Sequence, residues 1–447
     1  MHSDFFLQVF EENKTNEALI WRDKPYHYSW LLDKIDSWKK EIEREKITTG
    51  SVVILEADFS PNSVALLLAL IFGGHIIVPL TKSVAANRTK FISIAQGEYS
   101  ISIDEHDKAN IQKLNNIAIH EHYKKLRALE HPGLILFSSG STGESKGAVH
   151  DFTGILEKFR VRRNTLRTIT FLLYDHIGGI NTLFYVLSNA GCIITVEDRN
   201  PDNVFRTIEK FKAELLPTSP TFLNLVLLSE AYKRYDISSL KTITYGTEPM
   251  PEVTLKKFHE LFPKIKLQQT YGLSEVGILR SKSKSSDSLW VKVGGEGFET
   301  RVVNGILQIK AQSAMLGYLN APSPFTEDGW FNTGDNVEVD GEYIKIKGRV
   351  SEIINVGGEK VYPTEVENVI QSMDNVAEVT VFGEKNPITG NIVCARVRLK
   401  TEEETKVFTS RLKKFCRERL QPFKVPMKVT VLSDLQYSDR FKKKRNI

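Results

Sequence analysis

Short, unbroken apolar runs bounded by glycine or polar residues recur along this chain, separated by longer stretches with helical spacing. Residues 51–57 (SVVILEA) are rich in β-branched residues and predict a strand, residues 62–70 an apolar helix, and residues 75–80 (HIIVPL) a second strand. The pattern returns at residues 240–246 (LKTITYG), 251–262 (PEVTLKKFHELF) and 265–272 (IKLQQTYG). Each triplet spells a strand–helix–strand unit, which requires a crossover and therefore parallel strands. Ligands in such sheets collect at the carboxyl ends of the strands, so the loops that follow strands are where chemistry is expected.

Residues 137–147 (FSSGSTGESKG) form such a loop, following the apolar run PGLILF and preceding His150 and a helix-like segment. Gly140, Gly143 and Gly147 let the backbone approach a ligand closely. Ser138, Ser139, Ser141 and Thr142 offer hydroxyls, and Lys146 adds positive charge, a composition suited to phosphate. A flexible Ser/Gly linker is the plainer reading, but such linkers rarely follow a buried strand directly. A Walker P-loop needs Gly-Lys followed by Ser or Thr; here Ser145 precedes Lys146 and Gly147 follows it.

Further motifs come in a fixed order: HIGG (176–179), YGTEPMP (245–251), YGLSE (271–275), FNTGD (331–335), GRVSEIINVGGEKVYPTEVE (348–367), PFKVP (422–426) and a terminal RFKKKR. With the Ser/Thr/Gly loop, this series resembles the adenylate-forming superfamily of acyl-CoA synthetases, nonribosomal-peptide adenylation domains and beetle luciferases. The resemblance runs from about Ile135 to the end of the chain. It implies an α/β fold: a large N-terminal domain of parallel-sheet subdomains, residues 1–348, and a small mobile C-terminal α+β lid domain, residues 349–447. It also implies that ATP activates a carboxylic acid as its acyl-AMP before transfer to a thiol.

Residue by residue, the resemblance assigns the Ser/Thr/Gly loop and Gly246, Thr247, Glu248, Tyr271 and Gly272 to nucleotide binding. Tyr271 can stack on adenine, the Ser274 hydroxyl can meet the α-phosphate, and Glu275 is a hard oxygen ligand for phosphate-bridging Mg²⁺. Asp335, on a glycine turn, can accept both ribose hydroxyls, although an Asp there also suits a turn. Arg349 can bond ribose or phosphate at the hinge between domains. Lys442 corresponds to the lid lysine that reaches the forming acyl phosphate, a cation where negative charge develops. The register counted from Leu435 favours it over Lys443 and Lys444. Three departures stand out: Phe441 where relatives carry glycine, Ser145 for a frequent proline, and Ser351 at the hinge.

The expected acyl site comprises His176, Ile177, Gly178, Tyr245, Thr270 and Gly277, with His176 lining or gating it. A shift of one residue would instead make Asp175 the partner of an amino-acid ammonium. Gly357 and Gly358, lacking side chains, are expected to let the pantetheine arm of CoA, or of an acyl carrier protein, pass between the domains. Two other classes remain open: a non-catalytic adenylate-binding homologue, and a kinase-like NTPase releasing ADP.

Composition adds little, since 41% hydrophobic and 26% charged residues are ordinary for a globular enzyme. Charge adds more once divided along the chain. Residues 351–447 hold 18 Lys or Arg against 13 Asp or Glu, while residues 1–350 hold 42 of each. The terminal cluster Arg440, Lys442, Lys443, Lys444 and Arg445 lacks interleaved aromatics, so nucleic acid is not the expected partner. Cys192, Cys394 and Cys416 match no metal or disulfide framework, and the N-terminus lacks a signal-peptide pattern. A cytoplasmic location without a membrane span is expected.

Overall fold

The computed structural model describes residues 4–139 and 144–433. Both expected strand–helix–strand units are present. Val52–Glu56 pairs in parallel with Ile76–Leu80, and the helix Pro61–Phe72 crosses between them. This helix is apolar all round, and Pro61 through Ile71 are buried. Its start is fixed by a reciprocal capping box: Ser60 Oγ accepts from Ser63 N, and Ser63 Oγ accepts from Ser60 N. The second unit pairs Thr242–Tyr245 in parallel with Lys266–Gln269 through the helix Glu252–Leu261.

These units belong to two seven-stranded sheets. One carries Val52–Glu56 and Ile76–Leu80 beside the strand Gly133–Ser139. The other runs from Lys266–Gln269 through Thr242–Tyr245 and Leu215–Thr218 toward Glu17–Trp21. The helix Ile177–Ser188 and the helices Asp4–Glu12, Tyr28–Arg44 and Pro61–Phe72 share one apolar core, in which Phe6, Tyr28, Leu66 and Phe184 are fully buried. A third, six-stranded antiparallel sheet spans Ser281–Ser283 to Tyr343–Arg349 in sequence.

The C-terminal part is α+β. Five strands between Ile354 and Val431 pack against the helices Pro363–Gln371 and Thr405–Arg417 around a separate core of Val361, Ile370, Val381, Phe408 and Leu412. Ser351 is exposed in a turn just before it, Val350–Glu352. Among the described residues, no helix is long and apolar enough to cross a membrane.

The Ser/Thr/Gly segment differs from the loop expected after a parallel strand. Gly133–Ser139 and Ser145–Asp151 pair antiparallel, from Gly133 opposite Asp151 to Ser139 opposite Ser145. The described parts of the segment are therefore paired antiparallel strands, and Gly140, Ser141, Thr142 and Gly143 lie outside the described residues. Its base is braced by Asn320, whose Oδ1 accepts from Gly147 N at 3.0 Å and whose Nδ2 donates to Ser145 O at 3.0 Å.

Candidate functional site

A cleft of about 310 Å³ opens at the carboxyl ends of Leu215–Thr218, Thr242–Tyr245 and Lys266–Gln269. Pro217, Thr218, Thr244, Gly246, Thr247 and Thr270 form this wall. Phe137, Ser138 and Lys146 of the antiparallel pair and the start of the helix Ile177–Ser188 also line it. Gly272, Leu273, Ser274, Glu275 and Ile278, with Phe331, Thr333 and Arg349, contribute the rest.

Close backbone packing explains the glycines here. A Cβ on Gly246 would stand 2.5 Å from Thr270 Oγ1 and 2.8 Å from its carbonyl oxygen. One on Gly272 would meet Gly277 O at 2.6 Å, across a narrow antiparallel pairing that presents Ser274 and Glu275 as its turn. Thr247 holds φ +73°, a left-handed conformation that costs a non-glycine residue about 1–3 kcal/mol.

The charged groups are linked. Tyr318 Oη donates to Glu275 Oε1 at 2.7 Å, and Lys146 Nζ lies 5.3 Å from the centroid of the same ring. Burial and the neighbouring Glu275 carboxylate hold the Tyr318 phenol well above its ordinary pKa, so it stays a donor. Thus a cation and a carboxylate face the cleft across one aromatic ring. Glu275 keeps one oxygen without a hydrogen bond among the described residues, enough to contribute a single carboxylate to a hard cation shared with phosphates.

Asp335 and Arg349 are directly opposite each other on adjacent strands. Arg349 Nε donates to Asp335 Oδ1 at 3.2 Å, and Tyr271 Oη donates to Oδ2 at 2.5 Å. Asp335 is buried and its carboxyl is raised above the usual range, because burial outweighs the two partners. Asp335 is not among the cleft-lining residues, whereas its half-exposed partner Arg349 is. Tyr271 is buried with Leu273, Val276 and Phe331 in the antiparallel-sheet core and is not among the residues that line the cleft.

On the acyl side, His176 caps its helix, with Nδ1 accepting from Gly178 N at 3.0 Å. That places the proton of the neutral ring on Nε2. His176, Ile177, Gly178 and Thr270 line the cleft as expected. Tyr245 does not: strand alternation turns it to the opposite face, into the core with Phe222 and Leu255, while Thr244 takes the cleft side. Gly277 is likewise absent from the lining, and its φ of +88° serves the 272–278 pairing. Asp175 is buried and accepts from Thr81 Oγ1 at 2.6 Å, so the ammonium-binding placement is not found.

Glu248 also points elsewhere, accepting from Thr221 N at 2.8 Å and from the Thr221 hydroxyl. Gly357 and Gly358 form the two-residue turn of a hairpin between Ile354–Val356 and Glu359–Val361, with φ +60° and +91°. Positive φ at both positions is what such a turn demands. Neither lines the cleft. Lys442 lies outside the described residues.

Tyr318, Asn181, Thr218 and Thr333 are cleft residues that the sequence reasoning missed. Tyr318 sits in GYLN, a short strand that pairs with Ser145–Asp151, and that apolar-glycine run was the one available signal. The three cysteines are buried and burial pushes their thiols up, Cys192 to about 12 and Cys416 to about 11, so none is poised as a nucleophile. No cluster of three or more metal-ligating side chains occurs among the described residues.

Comparison with known proteins identifies two families along the chain. Residues 6–303 match the family described as AMP-binding enzyme, and residues 365–442 match the AMP-binding enzyme C-terminal domain. An indoleacetate–CoA ligase from Aromatoleum aromaticum is 29% identical over 332 residues, covering 68% of this chain and 64% of the relative. The long-chain-fatty-acid–CoA ligase FadD13 of Mycobacterium tuberculosis is 27% identical over 317 residues, 66% of this chain and 62% of the relative. The matched stretch therefore spans less than two thirds of these relatives.

Solved structures share the fold over nearly the whole chain. The anthranilate CoA ligase AuaEII in complex with anthranoyl-AMP superposes with a TM-score of 0.81 at 18% identity, covering 99% of this chain and 95% of that one. ATP-bound MatB from Rhodopseudomonas palustris gives 0.78 at 20% identity, covering 98% and 97%.

Proposed function

Because the chain belongs to the AMP-binding enzyme family, we propose that it joins a carboxylic acid to ATP as an acyl-adenylate and then passes the acyl group to the thiol of CoA. One observation carries this reading: Ser138, Lys146, Glu275 and Arg349 line the same cleft as the apolar or side-chain-free residues Leu172, Ile177, Gly178 and Ile278. Phosphate-binding groups and an acyl-sized apolar wall thus share one space.

In the first step a carboxylate oxygen attacks the α-phosphorus in line. A new P–O bond forms, the bond to the β-phosphate oxygen breaks, and pyrophosphate leaves with the electron pair. Lys146 and the Ser138 hydroxyl, with Ser141 and Thr142, compensate the triphosphate charge, and Ser274 donates toward the α-phosphate. Glu275 would hold Mg²⁺, which supplies charge neutralisation on the phosphates. Tyr318 fixes the Glu275 rotamer and keeps Lys146 on its side of the cleft.

Asp335 receives the ribose hydroxyls once the half-exposed Arg349 side chain swings aside. A carboxylate has about four lone-pair sites, so the bond from Tyr271 leaves capacity for both. Tyr271 acts by positioning Asp335. Gly246 and Thr247 border the adenine, and Thr270 and His176 border the reacting carboxyl. In the second step the CoA thiolate attacks the acyl carbon and AMP leaves with the former carboxylate oxygen.

We divide the chain at 348/349, supported by the separate core of residues beyond 354, and assign Lys442 to the lid. The free, buried thiols are in keeping with a reducing cytoplasmic setting. Pyrophosphate release from Mg·ATP, measured over fatty, aryl and amino acids for wild type and Lys442→Ala, tests the reading. Acid-dependent release that collapses in the variant is expected. ATP binding without release for any acid would overturn it.

A further inference from the structure

Lys158, on the short turn Glu157–Phe159, plays no part in the chemistry above yet its ammonium bonds two residues of the cleft lining. Its Nζ donates to Asn181 Oδ1 at 2.5 Å and to Ile278 O at 3.0 Å, and both partners line the cleft. No carboxylate lies within ion-pair distance of it among the described residues, and the charge that acts on it, Arg280, is another cation already paired with Glu296. An ammonium withdrawn from water without an anion is costly. Burial and Arg280 accordingly lower its pKa to about 7.

The bond from Lys158 also settles the amide of Asn181. With Oδ1 committed to the ammonium, the two donor hydrogens of the half-buried Asn181 sit on Nδ2, which makes no hydrogen bond among the described residues. A buried orphan lies on the same lining: Thr218 Oγ1 has no hydrogen-bond partner among the described residues. A buried hydroxyl without a partner and an ammonium lacking its counter-charge are what a wall facing a plain hydrocarbon would not retain.

Resting on the adenylation reading, we propose that the acid activated by this protein carries a second oxygen function, carboxylate or carbonyl, remote from the reacting carboxyl. Asn181 and Thr218 receive that oxygen, and Lys158 is the positioning residue that orients Asn181 and supplies the charge behind it. The proposal narrows the substrate class from carboxylic acids in general to dicarboxylates and oxo acids.

The test is pyrophosphate release with chain-matched acids: pentanoate, levulinate and glutarate, and benzoate with its para-acetyl and para-carboxy derivatives. At least about tenfold higher kcat/KM is expected for the oxygen-bearing members of a set, carried by KM for the acid with KM for ATP unmoved. Levulinate against glutarate separates a carbonyl from a carboxylate. Asn181→Asp preserves the side-chain shape and gives Lys158 its missing anion, so it should abolish the preference even if Lys158→Met fails to fold, while Lys158→Arg should restore part of it. Release that is equal or better with the plain acids overturns this assignment alone. No release with any acid, in these sets or the wider panel, overturns it together with the adenylation reading.

Discussion

Replacing Asp335 with asparagine should separate binding from folding. The ionised side chain is buried between Tyr271 and Arg349, and its raised pKa means that the site favours the neutral form more than water does. Removing the charge therefore relieves a desolvation cost while losing the Arg349 contact, and Arg349 is half exposed, so that contact is worth at most about 1 kcal/mol. Asparagine still offers Tyr271 an acceptor. The net change in unfolding free energy should stay within about 1 kcal/mol. Nucleotide affinity should respond very differently. Two ribose hydroxyls would lose a charged acceptor, each such bond being worth about 1.5–3 kcal/mol, and asparagine recovers part of that. A loss of about 2–4 kcal/mol corresponds to roughly 30- to 1,000-fold weaker ATP binding. Calorimetric titration with ATP and urea unfolding of the free protein measure the two quantities. An ATP affinity within about threefold of wild type, alongside a stability loss above about 2 kcal/mol, would make Asp335 a structural strut and refute its ribose role.

Further outcomes follow from individual residues. Glu275→Gln keeps an acceptor for the Tyr318 hydroxyl but loses its charge, so folding should be unaffected while Mg²⁺-dependent pyrophosphate release falls about a hundredfold. Gly246→Ala drives a Cβ into Thr270, and thermal unfolding should report a loss of about 1–3 kcal/mol together with weaker nucleotide binding. His75 and His150 are buried neutral, with burial holding each at about 4. Their unfolded value near 6.5 lies above this, so the stability they confer is present above about pH 6.5. It is lost as pH falls toward 4, by roughly 1.4 kcal/mol per unit for each residue. Urea titrations from pH 7 to pH 4 should give that slope, and His150→Asn should flatten it.

The strand–helix–strand units were legible because unbroken β-branched runs, glycine breaks and helical spacing all agree there, and each unit closes on neighbours in sequence. The loops holding Gly246, Thr270, Ser274 and Glu275 follow from those strands. For Tyr271 the motif gives which residue stands beside the cleft but not which way its side chain turns, and the bond of its phenol to Asp335, 64 positions later, has no local signature. Gly357 and Gly358 illustrate the reverse, since a two-residue turn needs the same residues that a channel would. Lys158 was illegible because its meaning depends on Asn181 and Ile278, 23 and 120 positions away. Long-range packing brings those groups together, and no local pattern encodes it.

The central claim is that the carboxylate itself attacks the α-phosphate, and an acid labelled with ¹⁸O in its carboxyl group tests that most directly. With an accepted acid, Mg·ATP and CoA, mass spectrometry should find one ¹⁸O in AMP and none in pyrophosphate. Label appearing in inorganic phosphate with ADP, or unlabelled AMP alongside acyl-CoA, would contradict the account.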